Sequence, residues 1–347
     1  MKHSRMFVAA AACAAAALST ACGAGPTQLA DELAVNMGDA SPVASPPSLD
    51  RSQLAGEVWE FEAVRDLDAT DGLIAARTES ALHVGTLEEF KAGKAKAYPL
   101  DAACGDASGN AGTFAVGCGD SIRLFTAQGE ETIATDAPVT AATVTTTGEV
   151  LAGSDAERTV WLYKDGELAK TFSVARETDQ IQAVPVEGQP DTVVRTNSFD
   201  TTIQDMDWQG GRQGGTLRVG LGVGKVTGGE NGLVLAADAT GSQLLVYTTD
   251  DIIRLQQMAP VPESPWDAAW DPAERLAWVA STAGNVATGY DISRGVPLER
   301  ASIATVADPQ SIISLDDGTL LIASATGDGL QVVRPTDKQL RDLPEGK

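Results

Sequence analysis

Histidine is nearly missing from this chain: of two, only His83 lies beyond the first 22 residues. Centres built from several histidine ligands are therefore excluded. A Ser-His-Asp triad would have to recruit His83, and no nucleophile-elbow pentapeptide surrounds any serine. His83 alternates with Leu82 and Val84, which makes it a strand residue facing away from that pair. Aromatic residues are only 5% of the chain, so Ala, Val, Leu and Ile must fill most of any core. Bases are scarce too: 25 Lys and Arg against 48 Asp and Glu give a formal charge of −23. Such a surface repels nucleic acid and anionic lipid headgroups. No helical periodicity competes after residue 55.

What is present is a repeated meander. Gly232 to Met258 holds three short apolar runs, Leu233–Ala236, Leu244–Tyr247 and Ile252–Leu255, split by Asp-Ala-Thr-Gly and Thr-Thr-Asp-Asp turns. One antiparallel meander cannot bury both faces and needs copies of itself. The second strand recurs with first apolar residues at Leu73, Phe114, Val150, Val193, Leu233, Leu276 and Leu320. The spacings are 41, 36, 43, 40, 43 and 44 residues, and a third run follows each copy. Seven all-β units of that length match the four-stranded blades of a seven-bladed β-propeller, with a β-sandwich of accidental spacing as the alternative. A ring has to be closed, or its end blades expose edges. Glu57–Phe61 is expected to supply the outer strand of the seventh blade, with Gln339–Leu343 as the other candidate.

The chain divides into a leader (1–22), a tether (23–55), the propeller (56–335) and a polar tail (336–347). Lys2 and Arg5 precede the apolar run Met6–Leu18, too short to span a bilayer. Leu18-Ser19-Thr20-Ala21-Cys22 then resembles a bacterial lipobox, so Cys22 is expected to carry a diacylglycerol as the first mature residue. Ser19 stands where Leu or Val is commoner; a plain secretory signal cut near Ala21 is the alternative. Loss of the leader leaves a charge of about −25. The tether, with its Ser41–Ser48 Pro/Ser stretch, is expected to be disordered. An exported domain meets an oxidising compartment. If the hairpin around Gly109–Gly112 centres on Ala111, Cys104 faces Cys118 and the two can form a disulfide; two buried thiols are the other reading.

Two motifs invite chemistry and lack a part of it. Gly220-Leu221-Gly222-Val223-Gly224-Lys225 has no Ser or Thr after the lysine and precedes a strand, so it reads as a connection between blades. Asp66-Leu67-Asp68-Ala69-Thr70-Asp71-Gly72 lacks the EF-hand glutamate and reads as a turn. No catalytic residue, metal site or cofactor is assigned. The one candidate binding site is a channel mouth, where proline-stiffened loops would present Trp266, Asp267 and Gln310.

Gly241–Tyr247, Leu276–Ala280, Gly289–Ile292 and Gly329–Val333 resemble the actinobacterial LppL prolipoproteins, most closely over Gly232–Val333. The resemblance implies a YVTN-like β-propeller lipoprotein anchored on the outer face of the cell membrane, and it supplies no functional residues. The expected function is non-catalytic binding of an envelope protein or small ligand, without nucleic acid. A lactonase-like hydrolase, a quinoprotein and a passive scaffold are the alternatives.

Overall fold

The computed structural model describes residues 37–342; Cys22 and the leader lie outside the described residues. Twenty-eight strands form seven antiparallel four-stranded sheets, the blades of a β-propeller. The seven inner strands are Asp66–Thr70, Ser108–Asn110, Ala141–Val144, Gln180–Val184, Val223–Gly228, Pro265–Asp271 and Pro309–Ser314. All seven second-strand positions read from the spacing fall in the second strand of a blade. The middles of these strands are largely apolar because they are covered on both faces; Ile74, Phe114, Leu151, Val193, Leu235, Trp278 and Ile322 are fully buried. Turn chemistry fixes the register. Asp71–Gly72 and Asp165–Gly166 both have positive φ at the two central positions, the type I′ geometry that matches strand twist.

The ring is closed from the N-terminus. Glu57–Trp59 pairs antiparallel with Leu330–Val333 in the register Glu57↔Val332 and Trp59↔Leu330, and Gln339–Asp342 forms no strand. The chain end is nevertheless not a free polar tail. Lys338 Nζ reaches Asp271 Oδ2 at 2.5 Å, and both side chains are fully buried. Leu340 packs on the core of blades 6 and 7, and the Arg341 N–H donates to the Arg300 carbonyl (2.6 Å). The sequence hid this because a lone lysine in a polar stretch carries no periodic signal.

The tether boundary moves for a similar reason. From Met37 on, the chain lies along one face of the propeller as a strap. The Gly38 N–H donates to the Leu221 carbonyl (3.1 Å), and the Val43 N–H donates to Ser264 Oγ (3.0 Å). Asn285 Nδ2 donates to the Pro46 carbonyl (2.6 Å), and Arg51 donates to the Asp328 carbonyl (3.0 Å). Prolines are suited to this role, since a strap held by its carbonyls and a few N–H groups does not need the missing donors. It crosses blades 5, 6 and 7 and buries Leu54 before entering the closing strand.

Cys104 and Cys118 form a disulfide, with Cα atoms 4.2 Å apart. The hairpin turns between Ala111 and Gly112 rather than on Ala111, since Asn110 pairs with Thr113. Slack between Gly105 and Ser108 absorbs the difference, and the Gly105 N–H donates to the Gly117 carbonyl (2.9 Å). Thiol labelling of denatured, unreduced protein is expected to find neither cysteine free. Replacing both by serine should cost about 3 kcal/mol, the loop-closure value for a loop of this size; labelling of both in the wild type would contradict the bond.

Candidate functional site

The inner strands meet around the axis, where period-2 alternation turns every second residue into the channel. Asp66–Thr70 is one of these strands, not the turn that its carboxylates suggested; only Asp71–Gly72 turns. Its polar residues alternate because the channel side is wet and the blade side is core. The channel narrows to a cavity of about 60 Å³ lined by Asp66, Asp68, Asp106, Gln182, Lys225 and Asp267, among others. That is room for a few water molecules. It is well short of the roughly 300–1,000 Å³ that an organic ligand or a quinone cofactor occupies.

The channel side chains tie one blade to the next. Asp66 Oδ2 accepts from the Ala107 N–H (3.1 Å), and Asp68 Oδ2 accepts from the Gly109 N–H (2.8 Å). Thr143 Oγ1 accepts from the Ala183 N–H (3.0 Å), and Gln180 Oε1 from the Val226 N–H (3.1 Å). Asp267 Oδ2 accepts from the Ile312 N–H (2.9 Å), and Ser311 Oγ donates to the Arg65 carbonyl (3.3 Å). An inner strand has one edge paired within its blade and the other facing the next blade. These side chains satisfy the N–H groups that the second edge leaves over. Lys225 goes furthest: its ammonium spans from blade 5 to Asp66 Oδ1 (2.5 Å), the Arg65 carbonyl (2.9 Å) and Ser311 Oγ (3.1 Å). Among the described residues, no three acidic, histidine or cysteine side chains are grouped to hold a metal ion.

Burial dominates the electrostatics. It pushes Asp68 up to about 7 and Asp267 up to about 6, against the backbone N–H groups that favour their charged forms. It pushes Asp66 up to about 8 against the pull of Lys225. Burial works to lower Lys225, but Asp66, Asp106 and Asp267 outweigh it and hold the ammonium above the ordinary lysine range. Carboxyls raised from 3.8 on folding make the native state bind more protons than the unfolded chain above that pH. Stability should therefore be full below about pH 4 with respect to these groups and fall as pH rises towards 7. Melting temperatures across that range, for wild type and Asp267→Asn, check this. The variant should lose part of the slope below about pH 6, and an unchanged slope would contradict the assignment.

The three residues expected at the channel mouth do not converge. Asp267 lines the cavity, but both its oxygens are engaged, by the Ala268 N–H (2.8 Å) and the Ile312 N–H. Trp266 is a half-buried bulge residue, and Gly224 is needed beside it because a Cβ there would lie 2.5 Å from the Trp266 carbonyl oxygen. Gln310 sits at the matching bulge of blade 7 and donates to Asp308 Oδ1 within its own loop (3.0 Å). His83 is 3.1 Å from Glu62 and packs edge-on against Phe61, joining blade 1 to the segment after the closing strand. The glycine loop before Lys225 offers no anion cradle. Asp238 Oδ1 already accepts from the N–H groups of Leu221 (3.0 Å), Gly222 (3.0 Å) and Gly241 (2.8 Å).

These features define a seven-bladed β-propeller whose channel is spanned by its own polar groups. Solved structures agree on the fold. A chain of the mitotic checkpoint complex crystal structure is 13% identical with a TM-score of 0.64, over 85% of this chain and 96% of that one. The WD40 β-propeller domain of Doa1 is 13% identical with a TM-score of 0.58, over 81% and 96%. At that identity the likeness is one of fold. No protein-family model and no curated protein sequence matches the chain.

Proposed function

We propose that this protein is a lipid-anchored envelope propeller of the LppL kind, working as a non-catalytic module that binds another protein on the outer face of the cell membrane. The observation that carries the non-catalytic reading is the channel. Where propeller enzymes need an open central site, this one has about 60 Å³ and carboxylates already committed to neighbouring blades. A closed ring with seven sets of loops is then chiefly a rigid display surface. Its likeness to a chain of a checkpoint complex, a multi-protein assembly by its name, favours protein partners over small substrates. The lipobox at Leu18–Cys22 supplies the anchor and the localisation. A charge of about −25 on the chain beyond the leader gives it no attraction of its own to anionic lipid.

Crosslinking on intact membranes tests both parts. Wild-type protein should sediment with membranes and yield a discrete crosslinked adduct, while Cys22→Ser should be released or remain unprocessed. Soluble wild-type protein with an unmodified N-terminus would overturn the anchor, and the absence of any adduct would overturn the binding role.

A further inference from the structure

The core shared by blades 4 and 5 does not end at a polar rim. In the outer strand of blade 5, Arg254–Pro260, Leu255 pairs with Tyr247 and Met258 with Leu245, and paired residues share a face of the sheet. Tyr247 and Leu245 belong to the apolar core between these two blades, so Leu255 and Met258 carry that core outward. They end uncovered: Leu255 is 41% exposed, Met258 48%, and Ile252 in the preceding turn 54%. Of eight large apolar side chains exposed among the described residues, these three fall within seven consecutive positions. Scattered singly such residues need no explanation, whereas a cluster marks a contact surface.

Blade 4 leaves them open for a reason of its own. In its outer strand, Arg212–Arg218, the register slips so that Gly214 and Gly215 lie opposite Asp205. A Cβ on Gly214 would lie 2.0 Å from Asp205 Oδ1, so the strand is bare of side chains there. Asp205 Oδ2 meanwhile accepts from the Ile253 N–H (2.9 Å) and fixes the blade 5 turn across the seam. The result is a groove of about 870 Å³, with Ile252 on one side and the bare Gly214–Gly215 strand on the other. The seam between blades 3 and 4 is bridged instead, since Lys170 donates to the Gln209 carbonyl (2.6 Å).

The groove is acidic. Asp191, Asp205, Asp207, Asp250 and Asp251 line it against Arg212. Arg212 pairs with Asp207 (2.7 Å), and Arg254 pairs with Asp251 (2.8 Å). Asp191 is buried and held by Asn110 and Thr146. Asp250 is an exposed turn residue with no basic partner among the described residues, so it is the carboxylate that a ligand reaches.

We infer that this groove receives a segment of the partner protein in which an apolar side chain stands beside a lysine or arginine. The apolar residue covers Ile252 and Leu255, the bare strand admits the segment's backbone, and the cation meets Asp250. A chain with 48 acids against 25 bases draws partners of the opposite sign, and here that field coincides with uncovered apolar surface. The inference deepens the binding-module reading and rests on it.

The probe is N-acetyl-leucyl-lysine amide, with the leucyl-glutamate and glycyl-lysine dipeptides of the same form as comparisons. The δ1-methyl resonance of Ile252, identified by its loss in Ile252→Val, is followed by NMR in the folded full-length protein. It should shift and saturate with millimolar leucyl-lysine probe and respond several-fold more weakly to either comparison. Asp250→Lys should reverse the order, favouring glutamate over lysine, with an unchanged melting temperature. On membranes, Leu255→Asp and Asp250→Lys should both lose the wild-type crosslinked adduct, while Leu168→Asp, at an exposed site on blade 3, keeps it. A methyl that does not move, or that moves equally with the glutamate dipeptide, overturns the proposal. So does one that moves with protein concentration alone, which would make a second copy the occupant. An adduct that survives both groove variants overturns the groove and leaves the module reading standing. A selective methyl response with no wild-type adduct sinks the module reading instead.

Discussion

Lys338→Met is expected to lower the unfolding free energy by about 3–5 kcal/mol, because it strands the buried Asp271 carboxylate without its cation. For a domain of this size the melting temperature should fall on the order of 10 °C. The ammonium also donates to the Gly318 carbonyl of blade 7 and lies 5.3 Å from the centre of the Trp278 ring, so it staples blades 6 and 7. Asp271 meanwhile accepts from the Ala273 and Glu274 N–H groups (both 3.1 Å), which hold the turn after the inner strand. The double variant Lys338→Met/Asp271→Asn should recover part of the loss, since it removes the stranded charge and keeps an acceptor. Chemical denaturation of the three proteins checks this. A single variant as stable as wild type would mean that the chain end is not docked there.

A chain beginning at Ala63 should lose more. Compared with a chain beginning at Met37, it lacks the strap, the closing strand and the apolar side chains Leu54, Val58, Trp59 and Phe61, all packed on the cores of blades 6, 7 and 1. At about 1.5–3 kcal/mol for each fully buried side chain, and less for those partly exposed, the loss is on the order of 5 kcal/mol or more. It also bares Leu330–Val333 as an apolar edge, which favours aggregation. Thermal unfolding and light scattering of the two chains measure both effects. Equal melting temperatures would contradict closure by the N-terminal strand.

The blades were legible in the sequence because their second strands are buried on both faces, and a run such as Leu320–Ser324 therefore stands out from its turns. The closing strand was legible from an arithmetic of edges: the seventh unit lacked a fourth strand, and Glu57–Phe61 was the alternating segment left over. The inner strands were harder. Asp66–Thr70 carries two carboxylates and a threonine on its channel side, so its composition is that of a loop even though its geometry is that of a strand. Lys225 gave no signal because its partner Asp66 lies 159 residues away and meets it only when the ring closes. The strap failed to register for the same reason, its anchors Ser264, Asn285 and Asp328 being distant loop residues. Trp266 and Gln310 are each the second residue of an inner strand. Register shifts there leave both out of the cavity lining, and no single chain segment encodes that.

The channel as architecture rather than active site is the central claim, and a mild alteration of its lining tests it most directly. In Gln182→Ala the side chain that lies 3.3 Å from Ser108 Oγ is removed, leaving Lys225 and the three inter-blade aspartates in place. Crosslinking of this variant on membranes is the measurement. The account predicts the same adduct as wild type, with a melting temperature lowered by a few degrees at most; loss of the adduct at an unchanged melting temperature would contradict it.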